Sequence, residues 1–246
     1  IGKKAGFRLA ALGGGLKDNA IPLSCRAEVV TSDPDTVKAV AEEYDAILKN
    51  EYKISDPGVA VKACIKDTGA ALALTEDCTR RAVCLLLNVP NGIQAMSMDI
   101  PGLVQTSCNL GIFHVADGVL MAVSSVRSSV ASQKQMLLAR FAALSQLLGG
   151  SLQVTGAYPA WEYRREPVLR EKMAAVYEQH SVRAPKIVAI HAGLECGLVA
   201  GQQPGLDCVS FGPDQVEIHT AREKMSISSV QRTWKFLLGV LEALKD

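Results

Sequence analysis

Apolar and polar positions fall into two rhythms along the chain. Phe7 to Leu12 is an apolar run broken by Gly13, Gly14 and Gly15, and Ser24 to Thr31 alternates roughly in twos. Both predict strands, with a flexible turn after the first. Ser32-Asp-Pro-Asp35 predicts a helix start, with Asp33 as the cap and Pro34 pre-set for the first helical position. Val37, Val40, Ala41, Tyr44, Ile47 and Leu48 extend that helix to about Asn50. Val59 to Ile65 predicts a strand, and Thr75-Glu-Asp77 opens a helix to about Leu87. A Met-containing loop then runs to Pro101. Leu103 to Val115 and Val119 to Ser128 predict a hairpin closed by Asp117-Gly118, a pair suited to the tight turns that match strand twist. Ser132 to Leu148 predicts an amphipathic helix stopped by Gly149-Gly150, followed by a closing strand from Ser151 to Thr155.

Gly and Pro crowd together in Gly156-Ala-Tyr-Pro-Ala-Trp161, which places a domain boundary near residue 160. Beyond it the predicted order is helix (Glu166 to Gln179), strand (Lys186 to His191), glycine turn, strand (Asp207 to Phe211) and helix (Ser229 to Leu244). That alternation suits a parallel α/β layer, whereas the earlier hairpin and short turns are antiparallel. The expected fold is therefore an α+β domain, an antiparallel sheet with helices, over residues 1–160. The C-terminal part of an α/β domain follows over 161–246.

Candidate chemistry gathers in the second part. The run from Ile187 breaks into a turn carrying His191, Glu195 and Cys196 around Gly193 and Gly197. Ligands collect outside the carboxyl ends of buried strands. Two such ends would bring His191, Glu195 and His219 to one place. The plainer alternative is a core His191, a capping Glu195 and a surface His219. His114 and His180 have no comparable context.

Composition narrows the function classes. With 246 residues, 48% hydrophobic and 21% charged, the chain suits one large domain or two small ones. A net charge of +1 and 5% aromatics give no footprint for nucleic acid. No apolar run is long enough to span a membrane. Seven cysteines without scaffold-like spacing read as reduced thiols of a cytoplasmic protein, with Cys25, Cys64, Cys78, Cys84 and Cys108 expected as buried small hydrophobes. The chain opens at Ile1 without an initiator Met, as expected of a truncated piece.

Ile190-His-Ala-Gly-Leu-Glu-Cys-Gly-Leu198, then Ser210-Phe-Gly-Pro213, His219 and Ile227-Ser-Ser-Val230, resembles the carboxy-terminal motifs of the aminoacyl-histidine dipeptidases. These are also called Xaa-His or cytosol non-specific dipeptidases, and they are di-zinc metallopeptidases. Asn19-Ala-Ile-Pro22, Asn91-Gly92, Thr106-Ser-Cys-Asn-Leu-Gly111, Val126-Arg-Ser128 and Gly156-Ala-Tyr-Pro159 are similar to family landmarks in the same order. The resemblance is weakest between Tyr52 and Leu74. It also departs after His219, where Thr220-Ala-Arg-Glu223 replaces the usual Ser-Pro-Asp-Glu.

The resemblance implies that residues 1–160 are most of a lid, or dimerisation, domain. It implies that 161–246 return to the catalytic domain. His219 is the implied zinc ligand. Asn19 and Arg127 are implied to reach the substrate from the lid, and His191 and Glu195 to shape the pocket for its amino end. The family's His-x-Asp pair, further carboxylate ligands, Glu-Glu pair and Gly-Gly-His-Ser-Gly turn have no counterpart here. The chain is therefore expected to be a fragment without the catalytic base and most ligands of the two zinc ions, inactive alone. The whole protein is expected to hydrolyse unblocked dipeptides such as Xaa-His through metal-activated water, as a homodimer joined by the lid. The alternatives are a non-catalytic dimerisation or binding module and a Cys–His amidohydrolase using Cys196.

Overall fold

The computed structural model describes residues 2, 4–66, 72–116, 118–181, 184–189, 195–203, 205–218 and 220–245. Contacts divide the chain into two compact units, each assembled from separate stretches. The first comprises Ile1–Gly92, Cys108–Val126 and Leu137–Leu152; the second comprises Ile93–Ser107, Arg127–Met136 and Gln153–Asp246.

The first unit is built on strands β1 (Arg8–Gly14) and β2 (Cys25–Val30), paired antiparallel. Helices α1 (Pro34–Glu51) and α2 (Glu76–Asn88) follow. Strand β3 (Gly92–Met96) falls in the second unit from Ile93 on, and the strands β4 (Val104–Ala116) and β5 (Val119–Ser128), both cut by the division, pair with each other as the expected hairpin. The sheet order is β2-β1-β4-β3, with β5 also on β4, and β1 meets β4 antiparallel at Gly13 opposite His114 and Gly14 opposite Phe113. Helix α3 (Ala131–Leu147) follows the hairpin.

Leu9 and Leu12 are both buried although three residues apart, which a regular strand would send to opposite faces. A register shift between Leu9 and Ala11 restores them to one side. There they pack with Ala82 of α2 and Phe113 of β4. Leu9 keeps its place opposite Val29 in the β1–β2 ladder. Its N–H donates to the buried Thr79 Oγ1 at 3.0 Å, and its carbonyl accepts from Leu74 N at 2.8 Å. Sheet and helix are therefore joined by hydrogen bonds as well as by apolar packing. Asp33 caps α1 by accepting from Thr36 N with Pro34 inside the first turn, and Thr75 caps α2 by accepting from Cys78 N.

The second unit has its own apolar centre, where α4 (Val168–His180) packs on α6 (Ile227–Ala243). Met173, Val176 and Val240 are its buried residues, and Phe236 stands edge-on to Tyr177 and Phe211 at 5.6 and 5.2 Å. Helix α5 (Glu195–Gln202) and the short antiparallel pair β6 (Gln215–Val216) and β7 (Lys224–Met225) complete it.

Several expected strands form no ladder. The 59–65 segment joins no sheet, and its Val61 N donates to Asp45 Oδ1 of α1 at 2.8 Å. The 151–155 and 207–211 segments likewise join no sheet. In 186–189, Ile187 and Val188 are well exposed. Each is apolar enough for a strand, yet a strand persists only where neighbouring backbone satisfies its N–H and C=O groups. Among the described residues no such neighbour lies beside them. Conversely, β3 occupies part of the expected loop before Pro101, and α5 begins where a glycine turn was expected. All seven cysteines are free, but only Cys108 of the five expected in the core is buried. Cys25 and Cys64 are exposed, Cys25 at the start of β2, whose first four residues are all exposed. Among the described residues no helix is long and apolar enough to cross a membrane.

Candidate functional site

Asn19 belongs to the first unit, in the turn between β1 and β2, and is exposed. Two conditions set that turn. Gly15 adopts a left-handed φ of 77°, and Ala20 N donates to Lys17 O at 3.4 Å. Asn109 of β4 reaches across with its side-chain amide, donating to Asp18 O at 2.8 Å and Ala20 O at 2.9 Å. Leu110 N donates in turn to Asn91 Oδ1 at 2.8 Å.

Arg127 belongs to the second unit, half-buried near the end of β5. The strand end beside it is fixed by a polar cluster. The fully buried Thr106 hydroxyl donates to Gln133 Oε1 and lies 2.8 Å from Ser128 Oγ, which accepts from Val130 N at 3.0 Å. Ser129 N donates to Gln105 O at 3.1 Å, so the chain leaves β5 in one direction.

Glu195 opens α5, exposed in its first turn, where a carboxylate faces the positive end of the helix dipole. The glycines of α5 explain its placement. A Cβ on the buried Gly197 would come 3.2 Å from Pro159 O, and one on Gly201 would come 2.8 Å from the Pro159 ring. The helix can lie against the 159–161 segment because those positions carry no side chain. Cys196 follows Glu195, and its thiol pKa is raised, by burial first, then by Cys208 and Glu195. A nucleophilic thiol needs the opposite shift, so the geometry does not favour Cys196 as a catalytic group.

His191 and His219 lie outside the described residues. The segment around His219 is framed by β6 and β7. Ser226 N donates to Asp214 O at 3.0 Å, and Asp214 N donates to the buried Ser229 Oγ at 2.9 Å. Within the loop Glu217 has a left-handed φ of 55°, and its carboxylate pairs with Arg222 at 3.3 Å. That pairing gives the Arg222 charge a partner of its own. Among the described residues no group of three or more His, Cys, Asp or Glu is arranged to hold a metal ion, so they do not by themselves fit a zinc site.

The expected residues thus divide: Asn19 in one unit, Arg127 and Glu195 in the other, and two histidines outside the described residues. What the sequence did not single out is Asn109. It stands within the Thr106–Gly111 motif, but its partners lie 91 and 89 residues away, a pairing that no local spacing displays.

No protein-family model matches the chain. Over 242 residues, 97% of its length, it is 32% identical to the cytosol non-specific dipeptidase of Escherichia coli (strain K12), and it covers 49% of that protein. Among solved structures it matches aminoacylhistidine dipeptidase from Vibrio alginolyticus with a TM-score of 0.87 and 28% identity, over 98% of this chain and 49% of that one. The aminopeptidase PepT from Bacillus cereus ATCC 10987 shares the fold at a TM-score of 0.55 and 20% identity, over 68% of this chain and 45% of the other. The chain therefore spans about half the length of the curated relative it matches.

Proposed function

From a chain homologous to cytosol non-specific dipeptidase and aminoacylhistidine dipeptidase, we infer that the whole protein is a zinc-dependent dipeptidase acting on unblocked dipeptides, Xaa-His among them. The observation that carries this is the continuity of the likeness: one relative is matched over 97% of the chain in sequence, and another over 98% in structure. An isolated shared motif would not produce that.

The roles of individual residues follow from their chemistry. Arg127 offers a planar guanidinium that pairs in two places with the substrate's terminal carboxylate. Asn19 donates from its amide to the scissile carbonyl oxygen, a bond that strengthens as charge develops there. Glu195 accepts from the free ammonium group, which makes a blocked amino end a poor fit. His191 shapes the same end of the pocket. His219 is one metal ligand of the whole protein, and bound zinc would supply a Lewis acid and an activated water. Residues 1–160 form most of a lid domain that joins two copies, and residues 161–246 return to the catalytic domain. The 246 residues alone are inactive, and the whole protein works in the cytoplasm.

Zinc content and dipeptide turnover, measured together on the full-length gene product and its His219→Ala variant, test this. The expected result is bound zinc in the parent, less metal in the variant, and a fall in turnover of at least about 100-fold, as for loss of a group central to transition-state stabilisation. Unchanged zinc and turnover in His219→Ala would remove His219 from the metal site. Turnover without any metal would overturn the zinc assignment.

A further inference from the structure

We infer that Asn109 is a positioning residue, whose side-chain amide holds the turn bearing Asn19 on β4 in the pose from which Asn19 reaches a substrate carbonyl. This rests on the substrate role proposed for Asn19. A primary amide has two N–H donors, and Asn109 spends both on the turn. They go to the carbonyls of Asp18 and Ala20, the residues on either side of Asn19, at 2.8 and 2.9 Å. The backbone around Asn19 is thus gripped on both sides while the Asn19 side chain stays exposed.

The approach is close enough that nothing larger than hydrogen fits between turn and strand. A Cβ on Gly111 would lie 2.4 Å from the carbonyl oxygens of both Lys17 and Asp18. A Cβ on Gly15 would lie 1.7 Å from Gly111 O. Two glycines and one amide therefore set the height and tilt of the turn over β4. Strand β4 is itself steadied next to Asn109 by the bond from Leu110 N to Asn91 Oδ1. A turn that only had to reverse the chain between β1 and β2 needs no side-chain clamp from a third strand. A turn that must present an amide to within a fraction of an ångström does, because small misplacements cost catalysis heavily.

Asn109→Asp is the discriminating variant. It keeps the shape but replaces both donors with a carboxylate facing two carbonyls. Three readouts are needed: hydrogen exchange of residues 16–21, kcat and KM for an unblocked dipeptide in the full-length gene product, and the same kinetics in an Asn19→Ala background. The expected result is faster exchange confined to that turn with kcat lowered about 10- to 100-fold and KM changed much less. In the Asn19→Ala background Asn109→Asp should add no further loss, since the two act through one group. Unaltered exchange at 16–21 would overturn the inference. So would altered exchange with kcat intact, or losses that simply add. If Asn19→Ala itself leaves turnover intact, the substrate role of Asn19 falls and the positioning role with it, while the exchange data still report whether the clamp exists. A wild type without any dipeptide turnover removes the proposed function and this role together.

Discussion

Thr79 shows how a single hydroxyl can hold two elements together. Leu9 of β1 is buried, and its N–H donates to Thr79 Oγ1 of α2 at 3.0 Å. Thr79→Val keeps the shape of the side chain and removes only the acceptor. A buried donor left unsatisfied costs about 1–3 kcal/mol. The midpoint of urea unfolding should fall accordingly with the slope unchanged, whereas a loss below about 0.5 kcal/mol would mean that another group replaces the hydroxyl. At this scale much of the chain is legible in its sequence. Asp33 and Thr75 stand at helix starts as their chemistry dictates, and Asn19 and Arg127 fall in a turn and at a strand end. Contacts through space are not legible: nothing local links Thr79 to Leu9, 70 residues away, or Asn109 to Asp18.

Among the elements, helices are the most readable because each satisfies its own backbone. Among the described residues, five of six helices begin and end close to where their periodicity places them. Strands need partners, and apolar composition does not name them. The hairpin of β4 and β5 is legible because its partners adjoin across a two-residue connection. The 186–189 and 207–211 segments carry the right composition, but among the described residues they form no ladder. Helix α5 was hidden by its glycines, which are poor helix formers. Their use is steric: Gly201 lies where a Cβ would meet the Pro159 ring at 2.8 Å. Gly201→Ala therefore sets two effects against each other. Helix propensity favours alanine by about 1 kcal/mol, and forced contact with a rigid ring costs about 1–3 kcal/mol. The contact should win, so the variant should lose up to about 2 kcal/mol in thermal or denaturant unfolding. A gain in stability would show that α5 is free to shift away from the 159–161 segment.

For the whole molecule, two units with separate apolar centres divide the described candidate residues between them, Asn19 in one and Arg127 and Glu195 in the other. Each unit interleaves stretches distant in sequence, with β4, β5 and α3 all cut by the division, an arrangement that a scan for Gly- and Pro-rich linkers cannot detect. The chain is 32% identical over 97% of its length to a dipeptidase of which it spans 49%, and the peptidase proposed above is the whole protein. Zinc-dependent dipeptide hydrolysis is tested by one assay on the full-length gene product, comparing an unblocked Xaa-His dipeptide with its N-acetylated form, with and without a chelator. Turnover of the free dipeptide is expected, abolished by chelation and restored by zinc, with the acetylated form cleaved at least about 100-fold more slowly, since the Glu195 carboxylate would face an uncharged amide in place of the ammonium group it pairs with. Equal cleavage of both forms, or hydrolysis indifferent to the chelator, would contradict it.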